Sequence, residues 1–111
     1  MKIAIPVEEK NIEANVSTFF GRTKYFAIYT LETKGIEYIE NEGKNVSGGA
    51  GIKSAQCVID AGAQILITTK LGENAIETLK EGNIEIFEAK DISVEGNIKG
   101  LLKNELKRLE N

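Results

Sequence analysis

Gln64-Ile65-Leu66-Ile67-Thr68 is the stretch on which the fold turns. Its three consecutive branched aliphatic residues leave neither face polar, the mark of a strand buried on both sides. Such a strand needs a covering layer on each face. The flanks supply helices. Upstream, Ile52, Ala55, Val58 and Ile59 recur at helical spacing, predicting a helix over residues 52–61 with Gly62 as its C′ residue. Downstream, Thr69-Lys70-Leu71-Gly72 reads as a turn. Ala75, Ile76 and Leu79 then make the inward stripe of a short helix over 73–81, stopped by Gly82. Residues 84–88 form the next strand. Such β-α-β units take right-handed crossovers and set their strands parallel.

Further out, Ile3-Ala4-Ile5-Pro6-Val7 is a second strand apolar on both faces. Pro6 removes a ladder N–H, so regular pairing is expected to end near Ile5 or Pro6. Residues 25–31 and 36–40 read as a hairpin through Glu32-Thr33-Lys34-Gly35, with the glycine supplying a positive φ. Asp91-Ile92-Ser93 opens the last helix, with Ser93 as N-cap and a stripe of Val94, Ile98, Leu101, Leu102 and Leu109. The order is βββαβαβα. It predicts one domain over residues 1–111, a three-layer α/β/α arrangement on a mixed sheet.

Composition narrows the chemistry. At 111 residues the chain suits a single core, and its 41% apolar and 28% charged residues are ordinary for a globular protein. A net charge of −3 with interspersed signs disfavours a broad nucleic-acid surface. No apolar run reaches the roughly 18 residues of a membrane span. The N-terminus reads as a strand rather than a signal peptide, so a cytoplasmic location is expected. There is no histidine and one cysteine, Cys57. Histidine-based acid–base or triad chemistry is excluded, as is a Cys/His zinc site within one chain. Cys57 is the only soft metal-ligand candidate, and two thiolates could meet only in a dimer; the plain alternative, and the commoner one for a lone cysteine, is a small buried hydrophobe.

Two loops stand out. In Ser47-Gly48-Gly49-Ala50-Gly51-Ile52, three glycines precede a helix. Such a turn leaves the first N–H groups of the helix free, and the helix dipole favours an anion there. The plain alternative is a tight loop with a glycine N-cap and nothing bound. The other loop, residues 8–24, is long enough to suggest function and holds Val16-Ser17-Thr18-Phe19-Phe20-Gly21-Arg22. Arg22 suits an oxyanion, or an ion pair with Glu8, Glu9 or Glu13. Lys53 adds charge at the helix start or faces solvent.

Met1-Lys2-Ile3-Ala4-Ile5-Pro6, Phe20-Gly21-Arg22, Gly48-Gly49-Ala50-Gly51-Ile52 with Ala55-Gln56, and Asn74-Ala75 together resemble the dinitrogenase iron-molybdenum cofactor biosynthesis family. The resemblance runs from residue 1 to about residue 90. It implies a ribonuclease H-like motif with strand order 3-2-1-4-5 and strand 2 antiparallel. It also implies non-enzymatic carriage or storage of iron-sulfur or molybdenum-containing sulfide clusters, with cluster-donor or acceptor proteins as partners. Many members place a histidine before the Phe-Gly-Arg triplet; here that residue is Phe19. The cofactor-ligating histidine of those members is therefore absent.

With that strand order, the topology reverses between strands 1 and 4, where open α/β sheets bind ligands. The expected cofactor-binding residues are Ser17, Arg22, Gly48, Gly49, Ala50, Gly51, Ile52, Lys70 and Gly72, with Cys57 as a metal ligand. The leading expectation is a metal-sulfide cluster or cofactor carrier, a monomer or weak homodimer. A regulatory or protein-interaction module of the same fold that has lost the metal is the alternative. A Mg²⁺ nuclease using Glu8, Glu9 and Glu13 is disfavoured, because the central strands carry no acidic residue.

Overall fold

β1 (Lys2–Val7) is buried on both faces and lies in the middle of the sheet, as its apolar run requires. The computed structural model describes residues 1–90 and 92–109. β2 (Tyr25–Thr30) and β3 (Gly35–Glu40) form an antiparallel hairpin on one side of β1. β4 (Ile65–Thr68) and β5 (Glu85–Glu88) continue in parallel on the other. The sheet order is β3-β2-β1-β4-β5, with β2 the antiparallel strand.

Both faces are covered. On one, α1 (Ala50–Asp60) and α2 (Glu73–Glu81) set Ala55, Val58, Ala75 and Leu79 against Ala4, Phe26, Ile28, Leu66 and Ile86. On the other, α3 (Val94–Leu102) sets Val94 and Ile98 against Ile3, Ile5, Ile65 and Ile67. Adjacent residues of β1 and β4 thus belong to different cores, the period-two rule acting on a strand without a polar face. This is the three-layer α/β/α fold.

Four expectations need correction. Pairing of β1 does not stop at Pro6, which sits opposite Phe26 in the β1–β2 ladder. The parallel pairing with β4 covers only Ile3 and Ala4, so Pro6 lies beyond it. The chain itself fills that side: Val16 bridges Val7, and the Ser17 N–H donates to the Pro6 carbonyl at 2.7 Å. In the β2–β3 hairpin it is Lys34, φ 60°, that takes the left-handed conformation, not Gly35. α1 starts two residues early, at Ala50. The last helix ends at Leu102 instead of reaching Leu109.

That last difference has a clear cause. Asn104 turns left-handed at φ 59°, and the Glu105 N–H returns to the Gly100 carbonyl at 2.8 Å, a Schellman ending. Beyond it the chain runs back along β5. Glu88 N–H donates to the Lys107 carbonyl and Leu109 N–H to the Ile86 carbonyl. Leu106 packs into one core and Leu109 against the other. Of the residues expected to open α3, Ser93 is its N-cap, accepting from Gly96 N–H at 3.1 Å; Asp91 lies outside the described residues.

Candidate functional site

Strand order reverses between β1 and β4, and a cleft of about 860 Å³ opens beyond their carboxyl ends. Three distant segments line it: residues 18–22, 49–52 and 70–75. The first is held by the loop that folds back on β1, where the Thr23 hydroxyl donates to the Val7 carbonyl at 2.8 Å. The Thr69 hydroxyl reaches across to the Thr18 carbonyl at 3.4 Å.

The second segment is the start of α1. Gly49 is its N-cap, with φ 71° and ψ 26°, a conformation that glycine adopts without penalty. No side chain caps this helix, and its first backbone bond comes from Lys53 N–H to the Gly49 carbonyl at 3.0 Å. The N–H groups of Ala50, Gly51 and Ile52 therefore have no partner within the helix. The third segment repeats the arrangement. Gly72 is the N-cap of α2, again without a side-chain cap, and the first helical bond comes from Ile76 N–H at 3.1 Å. α3, which starts away from the cleft, carries the Ser93 cap. Two uncapped helix starts thus face one space, and their dipoles add positive potential there.

Arg22 and Lys70 contribute formal charge, opposed by Glu73. Arg22 pairs with none of the nearby glutamates. Its Nη1 donates to the backbone carbonyls of Lys44 at 3.0 Å and Val46 at 2.7 Å, clamping the loop that leads into α1. Its other N–H groups make no hydrogen bond among the described residues. Lys70 has no ion-pair partner among the described residues. Lys53 pairs with Glu42 at 3.6 Å on the exposed side.

A buried polar network supports the cleft from behind. Asn41 and Ser54 are both fully buried. Asn41 Nδ2 donates to the Gly21 and Thr23 carbonyls at 3.3 and 3.0 Å. Its Oδ1 accepts from Gly43 N–H at 2.9 Å and from the Ser54 hydroxyl at 3.0 Å. Ser54 Oγ also lies 3.0 Å from the Gly21 carbonyl. Gly43 permits this closeness, since a Cβ there would stand 2.6 Å from Ser54 Oγ and 2.8 Å from the Ala50 carbonyl oxygen. The network ties together residues 21–23, residues 41–43 and Ser54 of α1, the backbone around Arg22 and the α1 start.

Of the expected residues, Arg22, Gly49, Ala50, Gly51, Ile52, Lys70 and Gly72 line the one cleft. Gly48 adjoins it. Ser17 faces a neighbouring pocket of about 470 Å³ that shares Thr18, Phe19 and Arg22 with the cleft. The Ser17 hydroxyl donates to Glu8 Oε2 at 3.0 Å and accepts from Phe19 N–H at 3.3 Å. Cys57 lines neither pocket; it is half-buried against the core. No group of three or more acidic, cysteine or histidine residues is placed to hold a metal ion among the described residues. Three residues escape a reading of the sequence: Glu73, which lines the cleft next to Gly72, and Asn41 and Ser54, which support it from behind through contacts that only the fold brings together.

The sequence matches the dinitrogenase iron-molybdenum cofactor family over residues 1–104. The chain belongs to that family. An uncharacterised protein of Methanocaldococcus jannaschii is 31% identical over 113 residues, covering 99% of this chain and 92% of the relative. The apo form of the orange protein from Desulfovibrio gigas superposes with a TM-score of 0.94 at 26% identity, covering 99% of this chain and 93% of the other. A Thermotoga protein described as NifB-like, of the DUF35 family, superposes with a TM-score of 0.86 at 31% identity, covering 99% and 94%. This member of the dinitrogenase iron-molybdenum cofactor family therefore keeps the fold of its relatives across the described chain. The family relates it to clusters or cofactors. No described helix is long and apolar enough to cross a membrane.

Proposed function

We propose that this protein carries an anionic metal-sulfide cluster or cofactor, held without covalent bonds in the cleft between residues 18–22, 49–52 and 70–75. The observation that carries the reading is the meeting of two uncapped helix N-termini with Arg22 and Lys70 in one space. The donor set suits that cargo. The cleft offers N–H groups and cations but no thiolate or imidazole, so an incoming cluster would keep its own sulfide ligands. Sulfide clusters of iron, molybdenum or copper commonly carry net negative charge, which these groups complement. The volume falls in the range typical of small-ligand sites. Family membership and the likeness to the orange protein support a cluster-related role. Carriage fits better than catalysis: among the described residues the cleft holds neither histidine nor cysteine, and Lys70 and Glu73 form no ion pair there.

A binding titration with tetrathiomolybdate tests the reading. The wild type is expected to bind at one site per chain. Arg22→Ala is expected to weaken binding by roughly 1–2 kcal/mol through loss of charge-assisted hydrogen bonding and of the loop clamp. Lys70→Ala is expected to weaken it less, as a point charge near the surface. Absence of binding, or equal binding by all three proteins, would overturn the proposal. The alternative, an interaction module that has lost its cargo, gains from the strong exposure of Phe19 and expects no binding at all.

A further inference from the structure

We infer that the pocket beside the cleft, walled by Glu8, Glu9 and Phe19, is a docking point for a lysine or arginine side chain of a partner protein. The inference holds whether or not the cleft carries cargo, because it concerns a different space. That pocket measures about 470 Å³ and shares only Thr18, Phe19 and Arg22 with the cleft. Residues 14–17 form another of its walls. This wall is fixed in place. Val16 bridges Val7, Asn15 bridges Ser93, and the Val94 N–H donates to the Ala14 carbonyl at 2.9 Å. The loop is thereby tied to β1 and to the start of α3.

Charge decides what the pocket takes. Glu8 Oε2 accepts from the Ser17 hydroxyl and, at 3.4 Å, from the Lys24 N–H, which holds the carboxylate in position. Neither Glu8 nor Glu9 forms an ion pair among the described residues. The same loop carries three cations, and none pairs with them. Lys10 sits over the Tyr25 ring, 5.0 Å from its centroid. Lys24 reaches Glu8 only through its backbone. Arg22 lines the pocket but spends Nη1 on the Lys44 and Val46 carbonyls. Two carboxylates outweigh one guanidinium, so the pocket keeps a negative potential that draws a cation.

The remaining wall is apolar. Phe19 is 71% exposed and lines both spaces, forming the ridge between them. Its N–H donates to Ser17 Oγ, so the ring stands on an anchored backbone. A ring beside two unpaired carboxylates suits a cation on an apolar stem. The charged head meets the carboxylates while the methylenes lie along the ring, with a cation–π attraction added. Ile52, 45% exposed, belongs to the same cleft mouth as Phe19. A free small cation would leave both apolar side chains in water. A protein surface around the basic residue covers them together, so the partner is basic at the contact and apolar beside it. Seated there, it stands at the mouth of the cleft.

The test is a ¹H–¹⁵N NMR titration of the intact protein with a short peptide alternating lysine and leucine. A peptide alternating glutamate and leucine, and butylammonium, serve as comparisons. The lysine peptide is expected to shift the amides of residues 8, 9 and 15–19 saturably, and to bind more tightly than either comparison. Glu9→Gln and Phe19→Ala are each expected to weaken it roughly two- to fivefold, the scale of an exposed ion pair or cation–π contact. Both side chains are exposed, so neither substitution threatens folding. Glu37→Gln, exposed on β3 and outside both spaces, is expected to keep the wild-type affinity. Absence of saturable shifts at residues 8 and 9, or unchanged affinity in either pocket variant, would overturn the inference. So would an equal loss in Glu37→Gln, which would reduce the binding to diffuse charge attraction. Butylammonium binding as tightly as the peptide would make the pocket a small-cation site and overturn it too. The glutamate peptide binding equally well would rule out the charge argument and the inference with it.

Discussion

Asn41 and Ser54 show how much of the site is decided by residues that never touch its space. Each Asn41 hydrogen bond ends on backbone or on Ser54 inside the fold, with no solvent to replace a lost partner. Asn41→Ala leaves the Gly21 and Thr23 carbonyls and the Gly43 N–H short of partners. It is expected to lower unfolding stability by about 1–3 kcal/mol and to weaken anion binding with it. Urea unfolding followed by circular dichroism checks this, and a change under about 0.5 kcal/mol would contradict the network's role. Nothing in the sequence reveals the network: an asparagine in a loop and a serine in a helix look like solvent-facing residues until the fold closes over them. Arg22 is similar. Local sequence offers Glu8, Glu9 and Glu13 as partners, whereas the structure gives it the carbonyls of Lys44 and Val46, more than twenty residues away in the chain. The glycine turn was more legible, because its meaning is local: Gly49 does take the positive φ and does open a helix.

At the scale of elements, the contrast between helix starts separates stability from function. α3 has a serine cap, while α1 and α2, which open on the cleft, have glycines. Gly72 has φ −78° and ψ 164°, a conformation open to any residue, and a Cβ there would meet nothing within 4 Å. An aspartate at that position should fold readily and cap α2 itself. Gly72→Asp is expected to raise stability by a few tenths of a kcal/mol while weakening anion binding, since its carboxylate would take the donors and oppose the charge. Thermal unfolding and the tetrathiomolybdate titration together check the two signs. A stabilised variant with undiminished binding would show that the α2 start plays no part. Ser93→Ala, away from the cleft, is expected to cost about 1 kcal/mol of stability and to leave binding unchanged. The helices and strands were readable from period and punctuation, and α2 keeps the bounds its stripe suggests. The end of α3 was not, because Leu106 and Leu109 are apolar as a longer helix would be. They serve an extended segment instead, with one side chain on each side of the sheet. Only the left-handed Asn104 marks the break, and asparagine is a weaker signal than glycine.

Across the whole molecule, stability and cargo are expected to be independent. Two apolar cores sandwich the sheet, and the described residues contain no closed set of metal ligands. Folding should therefore not depend on metal, and treatment with a chelator is expected to leave the thermal midpoint unchanged. A large drop would reveal a structural ion. The three layers follow from strands without a polar face, but strand order does not follow from such patterning; it came with the family's resemblance. The cleft was legible to the extent that this order brings the ends of β1 and β4 and the start of α1 to one edge. Lys70 and Gly72 were expected there too, but the role of Gly72 as a second uncapped helix start was not, because nothing in Gly72-Glu73-Asn74 announces a free N–H group. The most direct measurement is a two-dimensional ¹H–¹⁵N NMR titration of labelled protein with tetrathiomolybdate. Saturable shifts are expected together at the amides of residues 20–22, 49–52 and 72–75, with Cys57 and α3 undisturbed. Shifts centred on Cys57 or on α3, or no saturable shift at either helix start, would contradict the anion cleft.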